Sequence, residues 1–448
     1  MNHIVYLVNV SRLTNQIQLP LAFAVLTNTL KMHNIDTVLI DMIPVEKEKR
    51  EDFFRVQLPK EPAIYGFSII AGNSHIDETE KYAKMVMTAN SNNVIVYGGP
   101  LPSAVPELLL KNCLCRYIIS GEAEFSFPML IKSLFEGNYY PEGISGLFYK
   151  KDGTVIGVKN KRVRQLDRYS APDYSLFDMD YYIRYLEETG QSFEIMASRG
   201  CRGNCSFCFK VCGPGLSTRS VDSVLDEIEA LIGNYGINRF YFVDENFFEV
   251  KKYFHEFIKR KNERNLEFTF IVQSRIDTIE RELCIMGREN GLTFIGTGVE
   301  SASQETLDRI NKRITVEQIE GKIRLMRELG IRVSVNLMMG FPWEKAEDYE
   351  ELLAFIKRNQ LEKCSKVSYL TPLPATKLYQ EAKEKGYIKD DFEYIRQLGD
   401  LYWERMVNLT SMPDEVLDYY YKKVSNVGQK DVVYPDSPDY MRQIKKLH

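Results

Sequence analysis

Residues 201–208 read Cys201-Arg202-Gly203-Asn204-Cys205-Ser206-Phe207-Cys208, just after a strand-like run ending in Met196-Ala197-Ser198. Three thiols fall within eight residues on a glycine-flanked loop, a donor set suited to an iron-sulfur cluster. A cubane cluster has four irons, so three sulfurs leave one iron open to a small ligand, the logic that separates catalytic metal sites from closed ones. A zinc site needs a fourth ligand at short range, and the only such neighbour is Cys212, with no His nearby. A disulfide reading meets an odd count of three.

Working outward, strand-like and helical segments alternate from Glu194 onward. Strands are expected at residues 193–197, 240–243, 268–273, 293–297, 333–338 and 366–370. Between them lie amphipathic helices, one capped by Ser220, another opened by the pair Thr315 and Gln318 and stopped by Gly330. Six such units imply an open, partial (β/α)6 barrel of TIM type with its active face at the strand carboxyl ends. Polar residues collect at those ends: Asp244-Glu245-Asn246, Gln273-Ser274-Arg275-Ile276-Asp277, and Gly296-Thr297-Gly298-Val299-Glu300. Asp244 fits a helix N-cap as well, and Arg275 fits an ion pair with Glu300 or Asp277.

The first 140 residues also alternate. Strands are expected at 4–10, 37–41, 64–70, 94–98 and 117–121, and helices at 19–33, 76–90, 105–111 and 124–135, which implies a doubly wound, Rossmann-like parallel sheet. Ligands of such sheets sit beyond the strand carboxyl ends, which points to the loops 11–18, 71–75, 98–100 and 121–124. Residues 141–191 form a Tyr- and Asp-rich connector with turn signals at Lys151-Asp152-Gly153 and Ala171-Pro172-Asp173. From residue 386 the chain is aromatic and mainly helical, with Tyr394, Tyr402, Trp403, Tyr419, Tyr420, Tyr421, Tyr434 and Tyr440, suited either to capping a pocket or to plain packing.

With 448 residues and net charge -4, the composition is that of an ordinary globular protein and carries no electrostatic footprint for nucleic acid. No leader is evident at the first residues, and the longest apolar helix candidate falls short of a membrane span. A cytoplasmic, reducing location is expected, with no membrane partner.

The C-x3-C-x2-C spacing with Phe207 before the last cysteine resembles the radical S-adenosylmethionine (SAM) enzymes, and the strand-end motifs resemble the same family over residues 192–385. The resemblance implies a 4Fe-4S cluster on Cys201, Cys205 and Cys208. It implies SAM contacts from Phe207, Asp244, Glu245, Gln273, Arg275, Gly298, Glu300 and Met338. Met338 and Met339 also suit core filling. In Thr371-Pro372-Leu373-Pro374-Ala375-Thr376, Ala375 stands where the family turn has glycine.

Residues 1–140 resemble the cobalamin-binding domain of one large radical SAM subfamily, on Tyr65-Gly66-Phe67-Ser68, Tyr97-Gly98-Gly99-Pro100 and Ser120-Gly121-Glu122-Ala123-Glu124. That implies cobalamin contacts from Ser68, Gly98, Gly99, Gly121 and Glu122. The first loop, Asn9-Val10-Ser11-Arg12-Leu13, lacks the histidine that ligates cobalt in other cobalamin domains; His75 is a weaker candidate. The implied activity is reductive SAM cleavage and, with cobalamin, methylation or other modification of an unactivated carbon in a small metabolite or natural-product intermediate. An external donor such as flavodoxin or ferredoxin would supply the electron, and no side chain is assigned as acid or base. Two other readings stand beside it: a cobalamin-independent dehydratase or epimerase with a vestigial first domain, and a non-catalytic iron-sulfur sensor.

Overall fold

The computed structural model describes residues 4–10, 17–70, 72–158, 160, 162–169, 171–210, 213, 215–398 and 405–428. Most of the 11–18 loop, Ala71, Cys212, Tyr402, Trp403, Tyr434 and Tyr440 lie outside the described residues. The chain divides into two compact units, Met1–Tyr182 with Phe209–Gly213 and Leu373–Leu401, and Ile183–Cys208 with Pro214–Pro372 and Tyr402–His448.

The first unit is built on a sheet of β1 (Ile4–Asn9), β2 (Asp36–Asp41), β3 (Ile64–Ser68), β4 (Val94–Gly98), β5 (Tyr117–Ile119), β6 (Leu147–Lys151) and β7 (Thr154–Gly157), in the order β2-β1-β3-β4-β5-β6-β7. The first five are parallel, as their apolar runs require: Val5, Ile64, Tyr65, Ile95 and Ile118 are buried, with helices Leu21–Met32, Gly72–Ala89, Pro106–Asn112 and Ser126–Phe135 between strands. The last two differ from expectation. The turn at Asp152 and Gly153 (φ 51° and 80°) closes a hairpin, and β6 joins β5 antiparallel with Tyr117 opposite Tyr149. The segment read as connector thus extends the sheet.

In the second unit β8 (Phe193–Ile195), β11 (Arg239–Phe242), β12 (Thr269–Gln273), β13 (Leu292–Glu300), β14 (Arg332–Met339) and β15 (Ser365–Tyr369) run parallel in sequential order, with β8 and β15 at the edges. These are the six expected strands. A short antiparallel ladder of β9 (Ser198–Arg199) and β10 (Ser217–Thr218) closes the base of the cysteine loop. Ser220 caps helix Val221–Tyr235 by accepting from the Ser223 N–H, and Thr315 and Gln318 form the capping box of helix Val316–Glu328.

Strand alternation sorts the side chains. Phe242 and Phe270 face Phe257 of helix Lys251–Glu263, with ring centroids 5.5 and 5.9 Å from it. On β15, Tyr369 stacks on Tyr421 at 3.8 Å and donates to Asp418 at 2.9 Å, so helix Asp414–Gly428 packs on the same outer side. Tyr421 and Tyr420 serve packing, the latter against Tyr349 at 5.5 Å. The inner face then carries Glu194, Tyr241, Gln273, Gly296, Gly298, Asn336, Met338, Lys366 and Ser368.

Candidate functional site

Residues far along the chain hold the cysteine loop at the carboxyl end of β8. Gly200 N–H donates to Glu245 at 2.8 Å and Arg202 N–H to Glu249 at 3.0 Å, so two carboxylates grip the backbone on either side of Cys201. Ser206 N–H donates to the Ile310 carbonyl at 3.1 Å, and Asn311 donates to the Asn204 carbonyl at 2.9 Å. Cys201 and Cys205 are half-buried, Cys208 is exposed, and none of the three is in a disulfide. Burial pushes the Cys201 thiol up, and the Gly203 N–H donating to its Sγ at 3.2 Å opposes that shift.

Asp244 is buried and engaged by the segment that follows β8: it accepts from Ala197 N–H at 3.1 Å and from the Ser198 hydroxyl. Burial raises its carboxyl to about 7. It orients the strand end that precedes the cysteines. Asn246 is the hub of the next layer, donating to Glu249 at 2.8 Å and accepting from Ser274 at 2.8 Å and Arg275 N–H at 3.0 Å.

Arg275 pairs with Asp277 through Nε and Nη2 (3.0 and 2.9 Å), donates to the Lys312 carbonyl at 2.9 Å, and donates through Nη1 to Cys205 Sγ at 3.1 Å. Of its two candidate partners the structure selects Asp277. Glu300 pairs instead with Lys312, 2.9 Å apart, with side chains 10% and 4% exposed. Glu300 has φ 71° beside a register irregularity at Gly298 and Glu300. The space beside the strand glycines is filled from within: a Cβ on Gly296 would meet the Gln273 amide, and one on Gly298 the Glu300 carboxylate. Phe207 packs edge-on against Phe341, centroids 6.3 Å apart, and Phe341 stacks on Trp343 at 5.5 Å. Met338 is half-exposed on the inner face, whereas Met339 is buried. Gly340 and Phe341 N–H both donate to buried Glu344, at 2.9 and 3.0 Å.

In the first unit Ser68, Gly98 and Gly99 meet at the ends of β3 and β4. A Cβ on Gly98 would meet nothing closer than 3.8 Å, and Gly99 (φ 97°) lies so near Ile69 O that a Cβ there would come within 2.7 Å. Gly121 is covered by the Asn160 side chain, and Glu122 accepts from the Val163 N–H. Ser103 ties these loops together, donating to the Gly99 carbonyl and accepting from Gly121 N–H, both at 2.7 Å. His75 is buried.

The sequence reading missed Glu249, Lys312, Glu344 and Ser103. Glu249 lies five residues beyond Asp244 and had a positional signal; the other three are marked only by tertiary pairing.

The profile of the Radical SAM superfamily matches residues 195–356. An uncharacterized methyltransferase of Pyrococcus horikoshii is 30% identical over 81% of this chain and 78% of its own length. The chain belongs to the radical SAM superfamily. An anaerobic magnesium-protoporphyrin IX monomethyl ester cyclase of Rubrivivax gelatinosus is 27% identical over 80% of this radical SAM enzyme and 65% of its own length. Among solved structures, the radical SAM methyltransferase TsrM of Kitasatospora setae, with cobalamin and a [4Fe-4S] cluster bound, superposes with TM-score 0.72 at 20% identity, covering 86% of this chain and 75% of that one. The cobalamin-dependent radical SAM enzyme OxsB superposes with TM-score 0.69 at 20% identity over 99% of this chain and 61% of that one. The sheet unit followed by the radical SAM unit is therefore a shared fold.

The donor set fits a cluster: three thiols outside any disulfide sit on one anchored loop. Among the described residues no three His, Cys, Asp or Glu side chains converge as a single-ion site would demand. Nor is any helix among them long and apolar enough to cross a membrane.

Proposed function

We propose that this radical SAM enzyme is a cobalamin-dependent methyltransferase acting on an unactivated carbon of a small metabolite or natural-product intermediate. The observation that carries the reading is the joining, in one chain, of a mainly parallel sheet with a clearing at Gly98 to a cysteine-loop unit, in a fold shared with TsrM and OxsB. On this reading residues 1–140 serve cobalamin, 141–191 first extend its sheet and then lead on to the next unit, 192–385 serve SAM and 386–448 lie beside the substrate.

Cys201, Cys205 and Cys208 would hold the cluster, which supplies the electron that cleaves SAM to a 5'-deoxyadenosyl radical. Ser68, Gly98 and Gly99 would lie against cobalamin, the source of the methyl group. The protein's own work is positioning: Glu245 and Glu249 fix the loop, Phe207 walls it, and Gln273, Glu300 and Met338 line the face where SAM is expected. An external one-electron donor such as flavodoxin or ferredoxin and a reducing, cytoplasmic setting complete the scheme.

The covering of Gly121 by Asn160 favours a second reading, a radical enzyme whose first unit holds no cobalamin. Anaerobic reconstitution, addition of hydroxocobalamin, desalting and optical quantification decide between them. Retention near one equivalent supports methyl transfer; iron and sulfide without cobalamin overturns it.

A further inference from the structure

The guanidinium of Arg275 reaches across the sheet to the cysteine loop. Four of its five N–H donors are committed: two to Asp277, one to the Lys312 carbonyl and one to Cys205 Sγ. The arginine side chain is only 13% exposed in its ion pair with Asp277. It is held in one orientation by acceptors on two other segments.

The loop sequence is cut to admit it. A Cβ on Gly203 would lie 2.7 Å from Arg275 Nη1, so that the guanidinium would have to shift, and a tight 3.2 Å from Cys201 Sγ. Glycine at the middle of the C-x3-C spacing is thus the condition for the N–H to sulfur contact. Main-chain bonding of Arg275 N–H to Asn246 fixes the approach from the other side.

We infer that Arg275 is a positioning residue that sets the reduction potential of the cluster, through its hydrogen bond to the Cys205 sulfur. Reduction adds one negative charge to the cluster and its thiolates. A donor aimed at a ligand sulfur stabilises the reduced form more than the oxidised one and raises the potential. The electron comes from the external donor, and no bond in the protein is made or broken. Such a device matters here because the cluster must be reducible by a cellular donor before SAM can be cleaved.

The inference rests on the three cysteines being the cluster ligands, and iron and sulfide analysis tests that part separately. The decisive experiment is a redox titration of the reconstituted enzyme without SAM, followed by the electron paramagnetic resonance of the reduced cluster. Arg275→Met, at full iron content, is expected to lower the midpoint by at least the equivalent of a tenfold change in the one-electron equilibrium, about 59 mV. Gly203→Ala, which displaces the guanidinium but keeps its charge, should lower it by less. An unchanged midpoint in iron-replete Arg275→Met overturns the inference. Should Arg275→Met fail to hold iron, Gly203→Ala decides alone: a lowered midpoint supports the role and an unchanged one removes it.

Discussion

Lys312 Nζ lies 2.9 Å from Glu300 Oε1, and neither side chain is more than 10% exposed. The lysine follows helix Gln304–Arg309 while the glutamate ends β13 in a left-handed conformation, so the pair closes a turn of the barrel rim. Removing one partner of a buried pair leaves the other charge without compensation, at a cost of about 3–5 kcal/mol. Lys312→Met should therefore lower stability by about that amount in urea titrations and weaken SAM binding in calorimetry, while Glu300→Gln should lose less stability. Equal, small losses in both would show the pair to be incidental.

Each cluster cysteine is a necessary ligand on this reading. Cys201→Ala, Cys205→Ala and Cys208→Ala should each abolish the iron absorption after reconstitution and all 5'-deoxyadenosine formation. Retained SAM cleavage in any one of them removes that residue from the ligand set.

Glu344 accepts the two N–H groups of the Gly340 turn, and its burial raises the carboxyl to about 8. The unfolded value is near 4.5, so between these limits the native state holds a proton that the unfolded chain has lost. Stability present below pH 4.5 is then lost as pH rises through 8. Denaturant midpoints should fall between pH 5 and pH 8.5, and Glu344→Gln should flatten that slope. A slope unchanged in the variant assigns it elsewhere.

Ala375 occupies the glycine place of its turn and has φ 65°, so the chain keeps the glycine-like conformation without glycine. A left-handed L-residue costs about 1–2 kcal/mol, against about 0.5–1 kcal/mol for the added freedom of glycine in the unfolded chain. Ala375→Gly should thus gain up to about 1 kcal/mol by thermal melting, and a clear loss would contradict the assignment of strain.

Local pattern was readable wherever a segment carries its own period. The six strands of the second unit, the Ser220 cap and the Thr315 box follow from spacing alone. The β6–β7 hairpin was legible as a turn but not as a sheet edge, because Tyr117 and Tyr149 become neighbours only through pairing 32 residues apart. The same holds at the site. Cysteine spacing marks the proposed ligands, but nothing local in Lys312 or Glu344 marks it as a partner of Glu300 or of the Gly340 turn. The space beside Gly296 and Gly298 is taken by the side chains of Gln273 and Glu300, which no local pattern announces.

Glu245, Glu249, Arg275, Ile310 and Asn311, which hold the cysteine stretch 200–206, all lie downstream of it in the chain. A nascent protein emerging amino-terminus first presents its three thiols well before the residues that shape them exist outside the ribosome. Metal loading therefore belongs to the finished polypeptide, and a message truncated before residue 310 yields a product with all three cysteines but an incompletely anchored cradle.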